Sequence, residues 1–338
     1  METWGKPVHE DLIASKYMQA AWKAVERFPV EAEAIELVTY SENVTFRVTV
    51  RDAVTDYVLR LHRPGYSSLE ELESERIWTR ALKATGLVVP DSLETHRGGH
   101  YALVDIPGAR ERRYAGMTTW HEGVPLSDYL DSQPDEAEWE RIFRRFGEIV
   151  AAFHNQSARW IPPQGFVRRR LGADELLGEA PFWGRFWEHP ALTDAERECL
   201  LRARARVRPV LSAYGENPEN FSLIHADFTP DNIIYDGEDL LIIDFDDAAY
   251  GWHIYDIASV LFGCRHGSDI EALRAALLDG YREHRPLAKR DVEMLPIFLL
   301  IRAMAIIGWH LQRPEHGHSG EFEGVKDWAL EASEQFRP

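Results

Sequence analysis

Hydrophobic positions alternate with polar ones early in the chain and recur at helical spacing later, so the pattern changes once along the sequence. After an amphipathic stretch from Leu12 to Phe28, the segment from Ile35 to Val50 puts Val44, Phe46, Val48 and Val50 on one face and Thr45, Arg47 and Thr49 on the other, which predicts a hairpin of half-buried strands. Tyr57 to Leu61 resumes a strand after the short polar stretch Asp52 to Asp56, and Ser68 to Leu82 reads as an acidic helix. A further strand pair is expected between Ser92 and Ile106.

From about Trp120 the period becomes helical. Ile142, Phe143, Phe146, Ile149, Val150 and Phe153 share a helix face, and helical patterns return at Glu196 to Tyr214, Ile270 to His284 and Val292 to Leu311. One short β-rich insert interrupts them: Ile233 to Tyr235, an Asp236-Gly237 turn, and Leu240 to Ile243 running into Asp244. The segment from Gln164 to Thr193, rich in Trp and Phe, reads as a helical insertion able to enclose a compact ligand. These elements predict an α+β chain, with residues 1–119 forming a small antiparallel-sheet lobe and residues 120–338 a larger, mainly helical lobe.

Composition narrows the classes. With 338 residues, 45% of them hydrophobic, the chain can bury a core. A formal charge of −18 repels a phosphate backbone and argues against sequence-independent nucleic-acid binding, while it suits a cationic small molecule. The two cysteines, Cys199 and Cys264, have no metal-type spacing, in keeping with a reducing cytoplasm. Met1 to Gly5 runs into the charged segment His9 to Lys16 without a leader pattern, and no apolar run is expected to reach membrane length.

The chemistry is concentrated between His225 and Asp244. Phosphoryl transfer from ATP needs a carboxylate to orient and deprotonate the attacking hydroxyl, metal ligands of different kinds, and a cation on the phosphates. His225-Ala226-Asp227-Phe228-Thr229-Pro230-Asp231-Asn232 supplies a carboxylate and an amide oxygen five residues apart, and the following hairpin ends in Asp244. Such a loop lets Asp227 face an acceptor while Asn232 and Asp244 face a metal.

These residues resemble the catalytic loop of the aminoglycoside phosphotransferase and choline kinase superfamily, and Ile243-Asp244-Phe245-Asp246-Asp247-Ala248 resembles its metal-binding segment. Within the superfamily the chain is most similar to the bacterial branch of type II homoserine kinases, stress-response kinase-like proteins and amicoumacin kinase-like enzymes. The resemblance implies a bilobal protein-kinase-like fold using ATP and Mg2+. It implies Asp227 as catalytic base, Asn232 and Asp244 as magnesium ligands, and Asp256 as a brace of the catalytic loop. Ser41-Glu42-Asn43 matches the turn over the phosphates, with Ser41 and Asn43 as contacts; Glu75 matches the partner of the phosphate-binding cation. Thr118 and Trp120 fall in the hinge expected to meet adenine. Where the superfamily often carries lysine, this chain has Arg60, expected on the α or β phosphate and paired with Glu75, the alternative being a structural ion pair with Glu75 while backbone amides near Asn43 carry more of the phosphate contact. Ala226 stands where glycine is common, and its small size predicts little consequence.

Other residues have competing readings. His225 reads as loop scaffold. Asp246 and Asp247 are candidates for a second magnesium ion or a substrate amine, against plain turn capping. Among the tryptophans, Trp309, with Trp183, Trp187 and Trp252, is a candidate for the acceptor pocket, against core packing. His310, His316 and His318 read as a solvated loop. The expected function is phosphorylation of a hydroxyl on a small, amine-bearing molecule such as an antibiotic, an amino alcohol or a homoserine-like compound. A protein serine/threonine kinase of the stress-response type is the alternative, and no activation segment separates Asp244 from Asp256.

Overall fold

The computed structural model describes residues 8–51, 53–132, 134–265, 270–314 and 320–336. Asp52, His316, His318 and the N-terminal Met1 to Gly5 lie outside them. The elements run α1 (Val8–Val25), β1 (Ala32–Tyr40), β2 (Val44–Val50), β3 (Tyr57–Leu61), α2 (Leu69–Lys83), β4 (Tyr101–Asp105), β5 (Arg112–Thr119), β6 (Val124–Pro125), α3 (Leu126–Asp131), α4 (Glu136–Arg159) and α5 (Ala173–Leu177). They continue as α6 (Asp194–Tyr214), β7 (Phe221–Ile224), β8 (Ile233–Tyr235), β9 (Leu240–Ile242), β10 (Ala249–Trp252), α7 (His253–Gly263), α8 (Ile270–His284), α9 (Lys289–Leu311) and α10 (Gly320–Gln335). Two compact units result. The first comprises Met1–Val124, Pro162–Val167 and Ile234–Asp246; the second comprises the remainder.

The first unit is built on an antiparallel sheet in the order β1-β2-β3-β5-β4. The β2 alternation behaves as the sequence predicts: Val44, Phe46 and Val48 are fully buried and meet Ala20, Ala21, Ala24 and Phe28 in one core cluster. α2 starts where Ser68 accepts the Glu71 amide while Glu71 reaches back to the Ser68 amide, a reciprocal cap that satisfies two otherwise orphaned donors. The strand pair expected from Ser92 to Ile106 is different in the structure. Only Tyr101–Asp105 is a strand there, Ser92 makes an isolated bridge to Thr118, and β4 pairs with β5 instead. β5 carries Arg112, Arg113 and Gly116, which conceals it from an apolar-alternation reading. Gly116 is required because a Cβ there would stand 2.6 Å from the Tyr101 ring.

The second unit is a helical assembly. α4 buries Ile142, Phe143, Phe146, Ile149, Val150 and Phe153, each large side chain contributing about 1.5–3 kcal/mol relative to exposure. α4 crosses α8 at backbone contact, where a Cβ on Gly147 would overlap the Leu277 carbonyl oxygen and one on Gly280 that of Arg144. Contrary to the expected helical insertion, the stretch from Gln164 to Thr193 is mostly irregular, with only α5 and a short 3-10 turn at Phe186–Glu188. Pro181, Pro190 and the glycines at 165, 172, 178 and 184 explain why. α9 corrects the membrane-length expectation, since by length and composition it could cross a membrane, with a mean hydropathy of 1.8 over its most apolar window. Here 61% of that window is buried inside the protein, so the helix serves as core.

Candidate active site

In the second unit, β7 leads into the loop carrying Asp227, and Asp256 on α7 holds that loop from behind. The fully buried Asp256 carboxylate accepts the backbone amides of Ala226 at 2.7 Å and His225 at 3.0 Å. His154 Nε2 lies 3.1 Å from the same carboxylate, with its Nδ1 2.9 Å from the Tyr281 hydroxyl. Burial, reinforced by the Arg285 charge, holds the His154 pKa well below its usual value, so a neutral ring donates from Nε2 and accepts at Nδ1. Burial likewise pushes Asp256 up to about 7, against the pull of His225, the two amides and Arg302. His225 acts as scaffold: its ring stacks on Phe228 at 4.5 Å and its Nδ1 accepts the Asp227 amide at 3.3 Å.

The small size expected of Ala226 is not what matters there. Its φ is +67°, in the left-handed region that costs an L-residue about 1–2 kcal/mol, so the position that favours glycine is a conformational demand. The two amide bonds from His225 and Ala226 to Asp256 help hold this backbone.

Asp227 is fixed on both oxygens. Asn232 donates from Nδ2 to Asp227 Oδ2 at 2.7 Å and to the Asp227 carbonyl at 2.9 Å. Arg302 of α9 pairs through Nη2 with Asp227 Oδ1, its Nη1 lying 3.4 Å from the Ala226 carbonyl oxygen. Burial opposes the Arg302 charge, but Asp227 and Tyr255 outweigh it and hold the guanidinium charged. Sequence reasoning missed Arg302. The available signal was a lone cation inside the apolar run Phe298-Leu299-Leu300-Ile301-Arg302-Ala303-Met304.

Asp227, Asn232 and Arg302 line a cavity of about 590 Å3, together with Asp247, Trp183 and Trp309. Asp247 lies 3.8 Å from Arg169. Of the other candidate tryptophans, Trp252 donates to the Gly215 carbonyl at 2.9 Å and packs on Phe221 and Phe298, while Trp187 lies under Arg204 at 4.4 Å. Both are core residues. His310 also departs from expectation: it is buried in α9 and lines the cavity instead of standing in a solvated loop.

In the first unit, Asp244 follows β9 with φ +61°, a left-handed conformation that aspartate tolerates better than most residues. Arg60 on β3 gives it a bidentate fork, with Nη1 and Nη2 each 2.8 Å from a carboxylate oxygen. Asp246 lies 3.6 Å from the same guanidinium. Burial acts against the Arg60 charge, yet Asp244, Asp246 and Glu75 together hold it firmly protonated. Glu75, the expected partner, thus acts on Arg60 electrostatically while lying 3.3 Å from Arg76 on α2, and the fork goes to Asp244.

Asn43 and Asp246 are joined in this unit. Asn43 accepts the Arg63 amide at 2.9 Å and donates to Asp246 Oδ2 at 2.6 Å, while His62 Nδ1 lies 3.5 Å from Asp246 Oδ1. Burial would raise the Asp246 pKa, but Arg60 and His62 outweigh it and hold the carboxyl well below its usual range. Asp246 therefore ties the turn to the strand, whereas Asp247 faces the cavity of the second unit. Ser41 is exposed, its amide donating to the Asn43 carbonyl at 3.1 Å. At the end of β5, Thr118 pairs with Val58, the Trp120 amide donates to the Asp56 carbonyl at 2.9 Å, and the Arg47 guanidinium lies 4.5 Å over the Trp120 ring.

An antiparallel sheet unit and a helical unit carrying a carboxylate–amide loop define an α+β phosphotransferase fold. Residues 36–288 match the phosphotransferase enzyme family, and the chain belongs to that family and is a small-molecule phosphotransferase. It is 28% identical to the homoserine kinase of Pseudomonas aeruginosa over 271 residues, 77% of this chain and 75% of that one. The amicoumacin kinase of Bacillus subtilis is 21% identical over 86% of this chain and 83% of its own. Among solved structures, the microcompartment-associated aminopropanol kinase superposes with a TM-score of 0.77 and 28% identity, covering 94% of each chain.

Proposed function

We propose that this enzyme transfers the γ-phosphoryl group of ATP, with Mg2+, to a hydroxyl of a small amine-bearing acceptor. The observation that carries the reading is Asp227, anchored on one oxygen by Arg302 and on the other by Asn232, at the wall of a cavity that also presents Asp247 and the indole rings of Trp183 and Trp309. Carboxylates suit an ammonium group, and indole faces suit the aliphatic body that carries it.

The donor chemistry fits a hard divalent cation. Because the Asn232 nitrogen is engaged by Asp227, its Oδ1 is the atom left for a metal, and the Arg60 fork shows that the Asp244 carboxylate accommodates positive charge. Asn232 and Asp244 would each offer oxygen ligands, and the ion when bound neutralises phosphate charge. Asp227 orients the acceptor hydroxyl and takes its proton, Arg302 and Asn232 fix the carboxylate, and Arg60, whose fork rests on Asp244 in this structure, would turn from it to supply a guanidinium for phosphate oxygens. Related enzymes support the small-molecule acceptor: relatives are named for homoserine and amicoumacin, and a solved neighbour contains AMP-PNP, Ca2+ and amicoumacin.

The test is ADP release from purified enzyme with ATP and Mg2+ across amino alcohols, hydroxy amino acids, aminoglycosides and amicoumacin-type compounds. One acceptor is expected to stimulate turnover, and Asp227→Asn to lower it by about 10²- to 10⁴-fold, the range for losing a general base. Stimulation that survives Asp227→Asn at wild-type rate would refute the assignment.

A further inference from the structure

The cavity wall contains a guanidinium that forms no ion pair among the described residues. Arg265 follows α7 and lies 4.3 Å over the Phe262 ring, donating from Nη1 to the Phe262 carbonyl oxygen at 3.0 Å. Its Nε is buried without a partner. Among the described residues it forms no ion pair, and Glu321 acts on it only through space. Burial accordingly holds its pKa below the usual arginine value, the Glu321 and Cys264 contributions being too small to offset it. The other arginine lining the cavity, Arg302, is already paired with Asp227.

A partly desolvated donor with no counter-charge is costly until an anion meets it. The bond to Phe262 caps the end of α7, but it uses Nη1 and leaves Nε buried without an acceptor, on a side chain that lines the cavity. The guanidinium, its Cζ 4.3 Å over the Phe262 ring, has the planar fork that matches the two-oxygen shape of a carboxylate. The same cavity presents Asp231, Asp247 and Glu321, so it offers both signs of charge to one ligand.

We propose that Arg265 receives a carboxylate of the acceptor, making the substrate an amine-bearing hydroxy acid rather than an amino alcohol with no acidic group. The proposal rests on the kinase reading above and sharpens its acceptor. Within it, Asp227 addresses the hydroxyl, Arg265 the carboxylate, and the cavity's other carboxylates the ammonium group.

The experiment compares kcat/KM for acceptor pairs that differ only by the carboxylate: homoserine against 3-aminopropan-1-ol, and threonine against 1-aminopropan-2-ol. The wild type is expected to favour the acid member of at least one pair. Arg265→Gln should cut that preference by about 10- to 100-fold, as expected for removing a charged hydrogen bond. Arg265→Lys, which keeps the charge but loses the fork, should give an intermediate ratio. Equal losses on both members of the pair would show a purely structural arginine and overturn the proposal. A wild-type preference for the amino alcohols would overturn it while leaving the kinase reading intact. Absence of turnover with every acceptor of the wider screen would refute the kinase reading itself.

Discussion

Replacing Arg302 with methionine separates a positioning role from a structural one. The substitution removes the guanidinium from Asp227 while keeping a similar length of side chain in the α9 core. Truncating one member of a fully buried ion pair costs about 3–5 kcal/mol. Here the Arg302 side chain is 10% exposed but that of Asp227 is 27% exposed, so water reaches the abandoned carboxylate. Asn232 still holds its other oxygen. The cost should therefore fall nearer that of one charged hydrogen bond, about 2 kcal/mol. For a chain of this length that corresponds to a loss of about 3 °C in melting temperature. The kinetic effect should be larger, since Asp227 loses one of two anchors and a misplacement of about 1 Å lowers a rate by about 10²-fold. Steady-state ADP release, measured well below the melting temperature, is expected to show kcat down by that factor and an ATP KM little changed. Arg302→Lys should recover part of it, because an ammonium can meet Oδ1 but not also reach toward the Ala226 carbonyl. Wild-type kcat in a folded Arg302→Met enzyme would refute the positioning role, whatever the loss of stability.

Arg60→Ala should raise the ATP KM and lower kcat together while Arg60→Lys recovers part, and kinetics indistinguishable from wild type would reject a phosphate role. Asp256 titrates from about 4 in the unfolded chain to about 7 in the folded protein, so the native state binds the extra proton between those values. Its contribution is complete below about pH 4, declines as pH rises toward 7 and is flat above. Asp256→Asn should flatten that part of the melting temperature against pH curve and, by facing an NH2 group toward the amides of His225 or Ala226, destabilise the protein by about 1–3 kcal/mol; an unchanged slope would contradict the burial argument. Ala226→Val adds a β-branched side chain at φ +67° in a fully buried site and should cost about 2 kcal/mol or more in denaturant unfolding, whereas a neutral effect would show that the loop relaxes freely.

Much of the fold was legible because its signals are local. β2 and β3 follow from alternation, α2 from its capping box, and the β8–β9 hairpin from Asp236, whose carboxylate accepts the amides of Glu238 and Asp239 before Gly237 opens the turn at φ +101°. The failures occur where the deciding contact is distant. β5 is held as an interior strand by β3 and β4, and its Arg113 is buried because it donates to the Glu42 and Leu61 carbonyl oxygens, a role that composition disguises as loop. The aromatic stretch after Gln164 has the burial of a core segment without helical geometry, since its prolines and glycines break the backbone ladder while Phe186 and Trp187 still pack inward.

The candidate site divides along the same line. Asp227 and Asn232 lie five residues apart in one loop, so both could be singled out from the sequence, although the hydrogen bond between them was not foreseen. Arg302 joins them from 75 residues away, and no spacing rule points from one to the other. What marks it is an energetic inconsistency: an arginine on an otherwise apolar, buried helix face must find an anion, and the carboxylate it finds is that of the Asp227 loop. Asn43 and Asp246, 203 residues apart, repeat the logic in the other unit, where a carboxylate that is also a candidate substrate or metal contact is engaged by an amide, a histidine and an arginine. Arg265 shows the converse case, a buried donor in the cavity wall for which no described residue supplies a paired anion, which is the ground for the substrate carboxylate proposed above. Charged residues in apolar or enclosed surroundings are thus the positions where sequence reading should search for distant partners first, and for ligands when the protein offers none.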